Sequence, residues 1–167
     1  MAIKSKTVLQ TTYGPFEVQF HEVAGKGYVS FSRGDLSRGT PIMRLQSGCL
    51  FGEAFSSLEC DCDQQLQAAL EAINSHGIGT IIYSYSEGRG IGLENKIAVM
   101  EIQRSFRCDS REAFARLGFD KGDYRDYQAE LQILGELGIA KNIQLFSRNE
   151  KRLEALRMAG FTVNFYE

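Results

Sequence analysis

Three cysteines, Cys49, Cys60 and Cys62, fall within one short stretch, Ser47-Gly-Cys49-Leu-Phe-Gly-Glu-Ala-Phe-Ser-Ser-Leu-Glu-Cys60-Asp-Cys62. The C-x(10)-C-x-C spacing lacks the paired C-x-x-C knuckles of a zinc finger, yet soft thiolates this close suit zinc. Their number matters more than their spacing. A structural zinc takes four protein ligands, whereas a catalytic zinc keeps three and leaves a place for water or substrate. The two histidines, His21 and His76, are remote in sequence, and Cys108 could close the site only through the fold. An open site and a closed one both remain consistent with these residues. So do three buried free thiols, since free cysteine is a common core residue.

Two further stretches carry chemistry. Ser86-Glu87-Gly88-Arg89-Gly-Ile-Gly-Leu-Glu-Asn-Lys96 is a glycine-rich turn that opens a helix. Its G-x-G-x-G spacing matches neither the dinucleotide fingerprint nor the P-loop. A tight anion-binding turn with Arg89 as a planar donor fits, and so does a plain glycine turn. Phe119-Asp-Lys-Gly-Asp123-Tyr-Arg125-Asp126 is a dense polar loop, which by itself reads as solvated charge.

Regular elements must position these groups. Thr7–Thr11 and Phe16–Phe20 carry β-branched or aromatic residues in rough alternation, with Tyr13-Gly14-Pro15 as the turn between them. Tyr28–Ser32 and Pro41–Gln46 read as further strands, the second running straight into the cysteines. Over Cys62–Asn74, Leu66, Ala69, Leu70 and Ile73 fall at i, i+3, i+4 and i+7, a helix. Cys60 and Cys62 then stand at its N-terminal end, where the helix dipole favours thiolate. Thr80–Tyr85 is a strand and Leu93–Arg104 a helix, in which Met100 lines up with Leu93 and Ile97 as a core residue. Ser110–Gly118 is a short helix with Ser110 as its N-cap. Tyr127–Leu137 is an amphipathic helix, Ile143–Ser147 a strand, Asn149–Met158 a helix and Phe161–Phe165 a last strand. The class is α+β: an N-terminal antiparallel β lobe followed by a mixed sheet with flanking helices, in one domain over residues 1–167.

Composition excludes several functions. Apolar residues make up 43% and charged residues 24%, the balance of a globular chain. The net charge of −2 supplies no basic stripe for nucleic acid. No apolar run reaches membrane-spanning length, and the N-terminus lacks a signal-peptide core. Cysteines without a secretion signal read as a reduced, cytoplasmic protein that uses them for metal or catalysis.

With these residues laid out, the chain resembles the GTP cyclohydrolase II family, which opens the guanine imidazole ring at the start of riboflavin synthesis. The motifs are the three-cysteine stretch, Glu87-Gly-Arg89-Gly-Ile-Gly-Leu, Asn95-Lys96-Ile97, and Leu117-Gly-Phe119 followed by Asp123-x-Arg125-Asp126. The resemblance implies one Zn2+ per chain on Cys49, Cys60 and Cys62, activating water for attack on guanine C8. It implies Arg125 as nucleophile at the α-phosphate, releasing pyrophosphate, and Asp123 as its proton acceptor. Charge alone would make Arg125 a phosphate clamp. Arg44, Gln65, Glu87, Gly88, Arg89, Ser110, Ser147 and Arg152 match nucleotide-contacting positions. Mg2+ on the triphosphate and a homodimer are implied as well.

The chain also departs from the family. The pattern Arg-Val-His-Ser-Glu-Cys becomes Arg44-Leu-Gln46-Ser-Gly48-Cys49, so a histidine and an acid are missing. Ser110 and Ser147 replace threonines, Arg152 a lysine, and Arg148-Asn149-Glu150 stands for Asn-Asn-Pro. Met100 replaces a tyrosine that faces the site. A thioether has no proton to give, so a reaction that needs the phenol to release formate is expected to stop at a formylamino-pyrimidine nucleotide monophosphate.

Overall fold

The computed structural model describes residues 5–166. Strands β1 (Lys6–Thr11), β2 (Gly14–Val23) and β3 (Lys26–Arg33) form an antiparallel meander. The first turn is Thr12-Tyr13, and Gly14 and Pro15 already belong to β2, paired with Thr11 and Gln10. β4 (Ile42–Ser47), β5 (Gly79–Ser84), β6 (Asn142–Leu145) and β7 (Thr162–Phe165) run parallel. The two halves are one sheet of order β1-β2-β3-β5-β4-β6-β7, joined by antiparallel pairing of β3 with β5. At that seam Ser32 Oγ and Thr80 Oγ1 share a buried 2.9 Å hydrogen bond.

Side-chain alternation along a strand gives each face its own helices. Ile42 and Ile81 pack with Phe16 against Ala69 and Ile73 of α2 (Cys62–His76), with Leu66 and Leu70 of the stripe read from the sequence partly buried beside them and Ala72 added to it. Their neighbours Met43, Leu45 and Ile82 face the other way. They pack under α5 (Gln128–Glu136) and α6 (Glu150–Met158). Each fully buried aliphatic side chain contributes about 1.5–3 kcal/mol. A third, smaller cluster of Val99, Ala113 and Phe114 joins α3 (Gly92–Phe106) to α4 (Ser110–Arg116). Ser110 is not the cap of α4. It is the first helical residue, and Asp109 accepts from Glu112 N at 2.8 Å. The carboxylate oxygen reaches the free amide better than a hydroxyl one position inside the helix. No helix among the described residues is long and apolar enough to cross a membrane.

Candidate active site

The cysteine stretch contains an element with no sequence signature, the six-residue helix α1 (Leu50–Phe55), which starts directly after Cys49. Cys62 is the first residue of α2, so the three thiols stand where β4, α1 and α2 converge. Cys49 Sγ and Cys60 Sγ are 3.6 Å apart, and the three sulfurs all lie within 4.8 Å of one another. A disulfide would need about 2.05 Å. Thiolates 2.3 Å from a tetrahedral zinc stand about 3.8 Å apart, so the cluster has the span of one zinc face. Gly52 makes this approach possible: a Cβ there would sit 2.8 Å from Cys60 Sγ and 3.4 Å from Cys49 Sγ. The donor set and spacing fit a soft divalent metal. Cys108 takes no part. Its Sγ packs with α3 and α4, 3.9 Å from Ile102 O, which removes the closed four-thiol site.

The thiols differ in their surroundings. Burial and the two neighbouring sulfurs push Cys62 well up. Burial also opposes charge on Cys49, but hydrogen bonds from Gly52 N and Lys96 outweigh it and hold this thiol down. Lys96 Nζ lies 3.2 Å from Cys49 Sγ and 2.9 Å from Glu87 Oε2, and the Phe51 ring covers it at 5.0 Å. Glu87 Oε1 accepts from Leu50 N.

A cleft of about 640 Å³ opens beside the thiols. Cys49, Cys60 and Cys62 line one side, and Arg89, Arg104 and Arg125 bring guanidinium groups to it. Glu87, Gly88 and Ser110 also line it. So does Met100, with Lys96, Val99 and Gln103 on the same stripe of α3. That stripe places Met100 at the cleft and not in the interior core that its spacing also allowed. Ile97, expected beside it, is 50% exposed.

Arg125 is gripped by Asp123: Nε donates to Oδ1 at 2.9 Å and Nη2 to Oδ2, while Nη1 donates to Ser47 Oγ at 3.2 Å. Burial disfavours both charges, but the pair outweighs it, lowering the Asp123 pKa and raising that of Arg125. Asp123 itself lines a smaller adjoining cavity with Arg89 and Ser110. Arg89 has φ +57, the left-handed region, and its carbonyl accepts from Tyr124 N, tying the glycine-rich turn to the Asp123–Arg125 loop.

Four expected contact residues do not line the cleft. Arg44 is 3% exposed and spends its guanidinium on Gln46, Gln65 and the Phe146 carbonyl. Burial and the Arg152 charge lower its pKa to about 10, so it stays protonated. Gln65 continues this network to Asp61 at 2.7 Å. Ser147 accepts from Arg152 Nη1 at 3.2 Å, and Arg152 is buried with Nε unpartnered. Of the departures beside Cys49, Gln46 belongs to the same interior, whereas Gly48 lines the cleft. Gln46 Nε2 donates to Glu53 Oε1 at 2.7 Å, and Tyr83 Oη donates to Glu53 Oε2 at 2.6 Å. A Cβ on Gly48 would meet that Oη at 2.9 Å.

Sequence reasoning gave no role to Lys96, Glu53 or Tyr83. The i, i+4 spacing of Lys96 and Met100 was the usable signal, since it puts both on one helical face.

Soft thiol donors and arginines lining one cleft define a class: a protein with a donor set able to hold a metal beside a cleft that suits an anionic ligand. The sequence model of the family described as GTP cyclohydrolase II matches residues 2–166. GTP cyclohydrolase-2 from Pseudomonas aeruginosa strain LESB58 is 41% identical over 158 residues, spanning 93% of this chain and 76% of the relative. GTP cyclohydrolase-2 from Azotobacter vinelandii strain DJ is 42% identical over 158 residues, 93% of this chain and 74% of the relative. The chain therefore belongs to the GTP cyclohydrolase II family. Among solved structures it is similar to RibBX, a two-domain 3,4-dihydroxy-2-butanone 4-phosphate synthase from A. baumannii. There the TM-score is 0.52 at 18% identity, over 96% of this chain but 38% of that one, a likeness of fold alone.

Proposed function

We propose that this protein is a hydrolase that opens the imidazole ring of GTP and releases pyrophosphate, working as one domain in a cytoplasmic homodimer. The observation that carries the reading is that the thiol cluster and Arg125 open onto one cleft. Cys49, Cys60 and Cys62 would hold one zinc, which when bound activates water and polarises the base. Mg2+ accompanies the triphosphate.

Arg125 and Asp123 act at the α-phosphate. Asp123, kept anionic by the pair, accepts the proton that Arg125 must lose for a nitrogen to attack phosphorus. Asp123 binds Nε and Nη2, so the proton leaves on that side. The lone pair for attack is uncovered at Nη2, the terminal nitrogen of the pair, while Ser47 holds Nη1 in place. The P–N bond forms as the bond to pyrophosphate breaks. The raised Arg125 pKa favours a second reading, in which the guanidinium stays charged and clamps the phosphate. Rapid quenching in alkali separates the two, because only the first leaves a nucleotide covalently on the chain.

Met100 sets the product. Ring opening and formate release are separate hydrolyses, and the second needs a group to polarise a loose formamide. Among the described residues lining the cleft none is a tyrosine, and the Met100 thioether occupies the α3 stripe beside the thiols. The product is then a formylamino-pyrimidine ribonucleotide monophosphate with little formate. Mass spectrometry and a formate assay of the zinc-loaded protein test this, and Met100→Tyr should raise formate release. Formate equal to pyrophosphate in the unaltered protein would refute the arrested product and leave the ring-opening reading standing.

A further inference from the structure

Three thiolates bring three negative charges to a divalent ion, leaving a surplus of one on the centre. Such a set donates strongly and blunts the ion's power to polarise water or a carbonyl. Among the described residues one ammonium touches the cluster, that of Lys96, at 3.2 Å from Cys49 Sγ. Its setting is a built one. Lys96 is 19% exposed and its partner Glu87 13%, so both charges have been taken out of water at a cost that only close pairing offsets. The Phe51 ring closes a further side of the ammonium.

Glu87, which aims the ammonium, is itself held at both oxygens. One carboxylate oxygen takes Lys96 Nζ, and the other takes the Leu50 amide, next in the chain to Cys49. The same residue opens the glycine-rich turn that walls the cleft. A lysine needed only to neutralise Glu87 could stop there, yet Lys96 also reaches the sulfur.

We propose that Lys96 is a positioning residue of the metal centre: its ammonium, aimed by Glu87, hydrogen-bonds the Cys49 thiolate, balances the surplus charge and weakens that sulfur's donation to the metal. Partners of this kind orient and tune a ligand without touching the ion. Donation from Cys49 falls, and the metal keeps more of its positive charge for the substrate. Glu87 makes the tuning sensitive to the cleft wall, because a ligand that shifts the turn shifts the ammonium with it. This inference rests on the three-thiol metal reading.

The test replaces zinc by Co2+ in the full chain and reads the sulfur-to-cobalt charge-transfer absorption, which reports thiolate donation directly. Lys96→Met should take up one Co2+ per chain but absorb at longer wavelength, since an unbonded thiolate gives up its electron more easily. Lys96→Arg keeps the charge and should stay near the unaltered spectrum, with Lys96→Gln between. The zinc form of Lys96→Met should lose roughly 10–100-fold in kcat, the usual range for loss of a ligand's outer partner. An unshifted band in Lys96→Met at equal metal content overturns the proposal. Should that variant fail to fold, identical bands in Lys96→Gln and Lys96→Arg overturn it equally. If the unaltered chain binds neither metal, the metal reading itself has failed.

Discussion

Gly52 is where a single added carbon should tell most about the thiol cluster. Gly52→Ala places a Cβ 2.8 Å from Cys60 Sγ and 3.3 Å from Cys62 Cβ. Overpacking of this kind costs typically 1–3 kcal/mol, and here the strain falls on the ligands. Metal affinity, measured by competition with a chromophoric chelator, should drop by roughly 10–100-fold. Cys108→Ser should leave it unchanged. Equal affinity in Gly52→Ala would mean that α1 swings aside freely. At this scale the sequence was legible where chemistry is carried by residue type: three cysteines in one stretch announce themselves. Lys96 with Cys49, and Glu53 with Tyr83, are pairings across 47 and 30 residues that only the fold creates.

Among the elements, α4 offers a clean test because two adjacent residues compete for the role of cap. Asp109→Ala removes the oxygen that accepts from Glu112 N and should cost about 1 kcal/mol. For a chain of this size that lowers Tm by about 2–4 °C. Ser110→Ala should leave Tm within about 1 °C by the same conversion, since Ser110 caps nothing. A larger loss in Ser110→Ala than in Asp109→Ala, by calorimetry, would reverse the assignment. Most elements could be read in advance because their apolar periods are long and bounded by glycine. Helix α1 could not, being six residues with a glycine inside. Helix α3 was found, but its phase was left open. Its spacing allowed Met100 either a core or a site reading; the face that lines the cleft carries Lys96, Val99, Met100 and Gln103 and leaves Ile97 exposed.

Across the whole molecule the thiol cluster sits just past the C-terminal end of β4, and the two large cores contain none of the three cysteines. Stability from the metal should therefore be a binding increment of size RT ln(1 + [L]/Kd), separable from the fold. Chelation should lower Tm while leaving the far-ultraviolet circular dichroism of sheet and helix nearly intact. Collapse of that signal on chelation would make the metal structural. The continuity of the sheet was the least legible feature. Residues 28–33 of β3 pair with residues 79–84 of β5, and no local pattern in either strand names its partner. The sequence suggested a β lobe and a mixed sheet because each half is locally consistent. Their seam is a long-range contact.

The crowding at Gly48 also constrains descent. Tyr83 Oη stands 2.9 Å from where a Cβ would be, and from there it donates to Glu53. A lineage regaining the acid that its family carries at this position would first have to surrender the tyrosine's grip. A lineage losing the tyrosine first would leave Glu53 one donor short. Either order passes through a handicapped intermediate, so the two positions are expected to change together.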